Sequence, residues 1–128
     1  MKSNYKLAIA LVAGAALGAA AVQGLHAQAK PPAFAVAMVD ITNKDGFLKE
    51  FAAKAQKALR DNGGKAMVRG DKLVTLYGGA PKGRIVIWRF DSLDQAVAAY
   101  NSAAYKEAKA IGDKYASFQI FAVEGLAE

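Results

Sequence analysis

The side chains able to do chemistry near neutral pH are few in this chain. It holds no cysteine and one histidine, His26. That histidine lies within MKSNYKLAIALVAGAALGAAAVQGLHAQA, residues 1–29, which has the build of a secretory leader. Lys2 and Lys6 form its basic start, Leu7 to Val22 is an unbroken run of apolar residues and Gly, and Ala27-Gln28-Ala29 gives the small-x-small pattern read by signal peptidase. Cleavage after Ala29 is expected, and it takes His26 away. The mature chain, Lys30 to Glu128, then has neither imidazole nor thiol. A general base titrating near pH 7, a thiolate nucleophile and a histidine ligand for zinc or haem are excluded. Ser/His/Asp and Cys/His schemes go with them. The acids are scattered without the clustering a carboxylate metal site needs. GGAPKG (Gly78 to Gly83) lacks the Lys-Ser/Thr pair of a phosphate-binding loop and leads into no helix.

What remains is Arg69, Arg89, Asp40, Glu124 and the aromatic residues. Alternation puts Arg89 on the face of its strand shared by Ile85 and Ile87, and Arg69 on the face shared by Met67. An arginine inside an apolar sheet face needs a partner, since an unpaired buried charge is very costly. Two readings follow. Arg69 and Arg89 form a cleft that grips a small anionic or carbonyl ligand through bidentate guanidinium contacts, or they pair with Asp40 or Glu124 at the sheet edge or across a dimer. Tyr105 and Tyr77 are the aromatic candidates for the ligand-binding set. Tyr100 and Tyr105 have the spacing of a packing seam, and Trp88 and Tyr77 fit an interface better than a cofactor platform.

The elements that must position these groups follow from periodicity. Phe34 to Thr42 reads as a strand, and Asn43-Lys44-Asp45-Gly46 as a turn in which Asp45 caps the next helix. From Phe47, the residues Leu48, Phe51, Ala52, Ala55, Ala58 and Leu59 mark one helical face, and Asn62-Gly63-Gly64 ends it. Lys65 to Tyr77 is one strand bent at Gly70 or two strands around a tight turn. RIVIWRF (Arg84 to Phe90) is the strongest strand signal. Ser92 and Gln95 form a capping box for a helix with Leu93, Ala96, Val97 and Tyr100 on its buried stripe. Asn101-Ser102 interrupts that helix, and Ser117 to Gly125 is the last strand. The βαββαβ order predicts a single α+β domain of ferredoxin-like type, residues 30–128, with an antiparallel sheet and both helices on one face.

That sheet is apolar on both sides. Phe34, Val36 and Met38 oppose Ala35, Ala37, Val39 and Ile41. Ile85 and Ile87 oppose Val86, Trp88 and Phe90; Phe118 and Ile120 oppose Phe121 and Val123. Such a surface exceeds what monomers normally expose, so a homodimer paired through the sheet face is expected.

Total Lys+Arg is 17 against Asp+Glu 11, and loss of the two leader lysines lowers the formal net charge from +6 to +4. The interleaved charges mark a solvated surface. No basic stripe with stacking aromatics indicates nucleic acid. The leader's Ala-rich run is shorter than a bilayer span of roughly 20 residues, so contact with the membrane is expected only before cleavage. A periplasmic or secreted location follows, with stability from packing alone and no cofactor implied.

Gly63-Gly64, Arg69-Gly70, RIVIWRF running into Ser92, then Ala96, Tyr100, Ser102, Tyr105 and Glu124-Gly125 give the chain a resemblance to the bacterial domain of unknown function 1330. It covers nearly all of Phe34 to Gly125. The resemblance implies a dimeric α/β-barrel of ferredoxin-like subunits and supplies no activity. The chain departs from the usual pattern in three places. Arg89-Phe90-Asp91-Ser92 stands for Glu-Phe-Pro-Ser, Arg69-Gly70-Asp71 for Arg-Gly-Gly, and Ser102-Ala103-Ala104-Tyr105 for Ser-Pro-x-Tyr. The expected function is binding of a small apolar or anionic molecule without catalysis, in the space between two sheets. The alternatives are a cofactor-independent monooxygenase or isomerase, with Tyr105 or Tyr77 and Arg69 stabilising an enolate-like anion, and a structural or interaction module.

Overall fold

The fold is set by four alternating strands whose inward residues meet two helical layers on one side only. The computed structural model describes residues 30–128; the leader reading concerns residues outside these. Within them, Pro31–Leu126 form one compact unit. Strand β1 is Ala33–Ile41, β2 Lys65–Gly70, β3 Arg84–Phe90 and β4 Ala116–Glu124. Helix α1 is built from Lys44–Gly46, a π-helical stretch Phe47–Ala52 and Ala53–Asp61. Helices α2 (Leu93–Tyr100) and α3 (Ala103–Gly112) follow β3. The sheet order is β2-β3-β1-β4, every pair antiparallel, which is the ferredoxin-like arrangement.

Register gives the two faces their composition. Ala35 lies opposite Trp88 and Ala122, and Ala37 opposite Val86 and Ile120. These residues face the helices. Ala33, Ala35, Ala37 and Val39 are buried there with Trp88 and Phe90. The outer face carries Phe34, Val36, Met38, Ile85 and Ile87, none of them fully buried within this chain.

Local chemistry explains the helix ends. Asn43, not Asp45, caps α1: its side chain accepts from the Gly46 amide at 3.0 Å, so the helix starts two residues ahead of the expected cap. Ser92 Oγ accepts from the Gln95 amide at 3.1 Å, and the Gln95 side chain accepts from the Asp91 amide at 3.1 Å. The capping box thus forms as expected, displaced by one residue on the return arm. Ser102 Oγ takes the Tyr105 amide at 3.2 Å and restarts the chain as α3. Two close approaches hold the helices together. A side chain at Gly112 would overlap the Phe51 ring, and one at Gly46 the Tyr115 ring.

Four expectations are corrected. Leu48 is 46% exposed, and Phe47 and Phe51 are the buried residues of that stretch of α1. Val97 is 49% exposed; Ala96 and Ala99 are the buried residues of α2. Strand β2 stops at Gly70, and residues 71–83 form a loop. The irregularity in β2 falls at Met67, between Ala66 and Val68, where two residues face one on β3. Such a bulge shifts every later side chain to the opposite face.

Candidate functional site

The site lies between α1 and the inner sheet face. Small residues meet there, Ala37 from β1 against Ala52 and Ala55 from α1, and the space they leave forms a cavity of about 60 Å³. Val39, Val86, Trp88 and Phe118 make its floor; Phe47, Phe51 and Leu59 its roof; Tyr100 and Tyr105 its inner wall. The π-helical stretch serves this wall directly, since Phe47 and Phe51 both lie within it. Their rings stand 5.0 Å apart, and Phe51 meets Phe118 at 5.1 Å. Tyr100 and Tyr105 meet edge to face at 4.6 Å.

The charged lining residues are Arg69 and Arg84, and no carboxylate is among them. Arg69 lies opposite Val86, so Arg84 is its diagonal neighbour on the same face, a separation of about 7–8 Å at the backbone that long side chains can bridge. Among the described residues, neither guanidinium makes an ion pair. Arg84 also borders an open bowl with Asp40, Asp71 and Lys44. Burial raises the Tyr100 and Tyr105 phenols well above their usual range, with each other's charge adding to the effect at Tyr105. Both are therefore neutral hydrogen-bond donors at any physiological pH. Among the described residues, neither hydroxyl has a hydrogen-bond partner. The chemistry on offer is two cations and two neutral phenols around an apolar volume, with Gln56 beside them and no proton acceptor of carboxylate or imidazole type.

The predicted residues divide accordingly. Arg69 and Tyr105 come together at this cavity. Arg89 does not: it shares the outer face with Phe34 and Lys65, and it contacts Asp91 at 3.5 Å. Within one chain, position separates Arg89 from Asp40 and Glu124. Asp40 is six residues along β1 from Arg89's partner Phe34, roughly 20 Å at strand rise; Glu124 pairs with Ala33 on the inner face. Tyr77 sits in the 71–83 loop, 96% exposed, away from the cavity. Trp88 is 2% exposed on the inner face and belongs to the cavity floor, not to an interface. The cavity lies beneath the helices, whereas the expected ligand space was between sheets.

Arg84 and Tyr100 went unrecognised as site residues. A signal existed for Arg84, which has the same parity as Val86, Trp88 and Phe90 in the strongest strand. Arg69's true face had none, because a bulge at Met67 leaves no mark in composition.

The fold recurs in the RPA0582 protein of unknown function from Rhodopseudomonas palustris, 13% identical over 77% of this chain and 85% of that one, at a TM-score of 0.62. The methylated form of RPA0582 matches at 15% identity over 76% and 82%, TM-score 0.57. At these identities the likeness is one of fold. No curated protein matches the sequence. Residues 32–126, the whole folded unit just described, match the family known as domain of unknown function (DUF1330), and the chain belongs to that family.

Proposed function

We propose that this is an exported, homodimeric binding domain that takes a small carboxylate bearing a short apolar tail. The observation that carries the reading is the pair Arg69 and Arg84, adjacent on one sheet face, without ion-pair partners among the described residues and at an apolar cavity whose described lining holds no acid. Two neighbouring cations cost energy unless an anion is shared between them, and a carboxylate suits the guanidinium fork. The volume limits the tail. About 60 Å³ is less than half of the roughly 150 Å³ of a cavity that takes benzene, hence a tail of about two or three carbons.

Binding is favoured over catalysis because proton abstraction needs a base, and the lining residues supply none: both phenols are held protonated. Export is supported by the leader pattern of residues 1–29, and mass spectrometry should find the secreted chain beginning at Lys30. Self-association is supported by the outer face, where Phe121 and Val123 join Phe34, Val36, Met38, Ile85 and Ile87.

Calorimetric titration with acetate, propionate, butyrate and octanoate tests the binding reading, with the fluorescence of Trp88, the chain's one tryptophan, as a second report. Propionate or butyrate should bind more tightly than octanoate. Arg69→Ala and Arg84→Ala should each weaken binding by about tenfold to a hundredfold, the value of a lost charge-assisted contact. Equal affinity in the wild type and both variants, or no heat and no fluorescence change with any acid, would overturn it.

A further inference from the structure

Residues 71–77, DKLVTLY, have the composition of a strand and no strand partner among the described residues. Val74 is 82% exposed, Leu76 81% and Tyr77 96%. The one backbone bond within the segment is from the Leu73 amide to the Asp71 carbonyl, 3.0 Å. A contiguous apolar segment with free backbone groups is a template for pairing. Among the described residues, the outer edge of β4 is another unpaired backbone row. Beside that edge runs an apolar groove of about 190 Å³ whose lining includes Val97, Ile120, Phe121 and Ala122. Val97 and Phe121 are each about half exposed there.

The two features match and cannot meet within one molecule. The order β2-β3-β1-β4 puts the segment, which continues β2, on the opposite side of the sheet from β4's free edge. The two edge strands are three strand spacings apart, about 14 Å, and their open edges point away from each other. Only another copy can bring them together. We infer that residues 72–77 of one copy add as a strand to the β4 edge of a second copy, with Val74 and Leu76 entering the groove beside Val97. Alternation then turns Leu73, Thr75 and Tyr77 toward the outer face. A twofold axis makes the exchange reciprocal, so each copy gives one arm and receives one. The inference rests on the homodimer reading above and adds the element that locks it.

Because the mature chain is free of cysteine, engineered disulfides give a clean test. Leu76→Cys is combined with Val97→Cys, and Tyr77→Cys in turn with Phe121→Cys and Val123→Cys, in otherwise intact mature protein, and each double variant is oxidised. At least one should run as a covalent dimer on a non-reducing gel, while the single variants run as monomers. In the wild type, amides of residues 72–77 should be protected from hydrogen exchange. Thr75→Pro removes a donor from an exposed segment without touching the core, and should raise the dimer dissociation constant about tenfold or more. A wild-type dimer with no cross-link at any pair and freely exchanging arm amides would overturn the arm exchange and leave the dimer standing. A wild-type monomer would overturn both. A monomer that co-sediments with phosphatidylglycerol vesicles through this segment would make the arm a lipid contact, and also overturn the inference.

Discussion

Tyr100 and Tyr105 show how burial decides what a side chain can do. Each phenol sits among aromatic and aliphatic groups, and desolvation holds the proton on. In the unfolded chain the same groups titrate near pH 10. Below that, both states carry the proton and the contribution to stability is complete. Above it the unfolded state releases protons first, so stability falls as pH rises toward the folded-state values. The urea midpoint should therefore drop between pH 9 and 11 more steeply in the wild type than in Tyr100→Phe/Tyr105→Phe. Parallel curves would show that neither phenol is perturbed. The candidate site was partly legible at this scale: Arg69 and Tyr105 stood out because the mature chain has so few other reactive side chains. Arg89 and Tyr77 lie away from this cavity, one on the outer sheet face and one in the 71–83 loop.

At the scale of elements, most of the architecture was written in periodicity and capping. RIVIWRF is rich in the β-branched and aromatic residues of a strand, and Ser92 with Gln95 marks a helix start that the structure contains. Illegible were features that depend on backbone register. The bulge at Met67 turns Arg69 inward beside Arg84, where strict alternation would give it the parity of Lys65 and the outer face. The π-helical stretch likewise keeps the apolar spacing of an ordinary helix while turning Phe47 and Phe51 onto the cavity. Deleting Met67 should remove the extra residue and leave Arg69 opposite Val86 on the inner face. Short-carboxylate affinity should then stay within about twofold of the wild type, whereas Arg69→Ala loses about tenfold or more. A folded deletion variant that binds as poorly as Arg69→Ala would mean that the bulge itself, and not the face Arg69 occupies, makes the site.

The molecule as a whole has two apolar sheet faces and helices for only one of them. On the outer side, Phe34, Val36, Met38, Ile85 and Ile87 lie at the sheet's centre, and Val68, Phe121 and Val123 extend the surface across the edge strands. Burying that face against an identical one removes it from water at a favourable free energy of about 25 cal/mol for each Å² of apolar surface. A single charge placed in its middle should reverse the balance, because the partner would present the same charge directly opposite. Sedimentation equilibrium on residues 30–128 at micromolar concentration tests this most directly. The wild type should sediment at twice the chain's mass and Ile87→Asp as a folded monomer; a wild-type monomer at the same concentration would contradict the pairing.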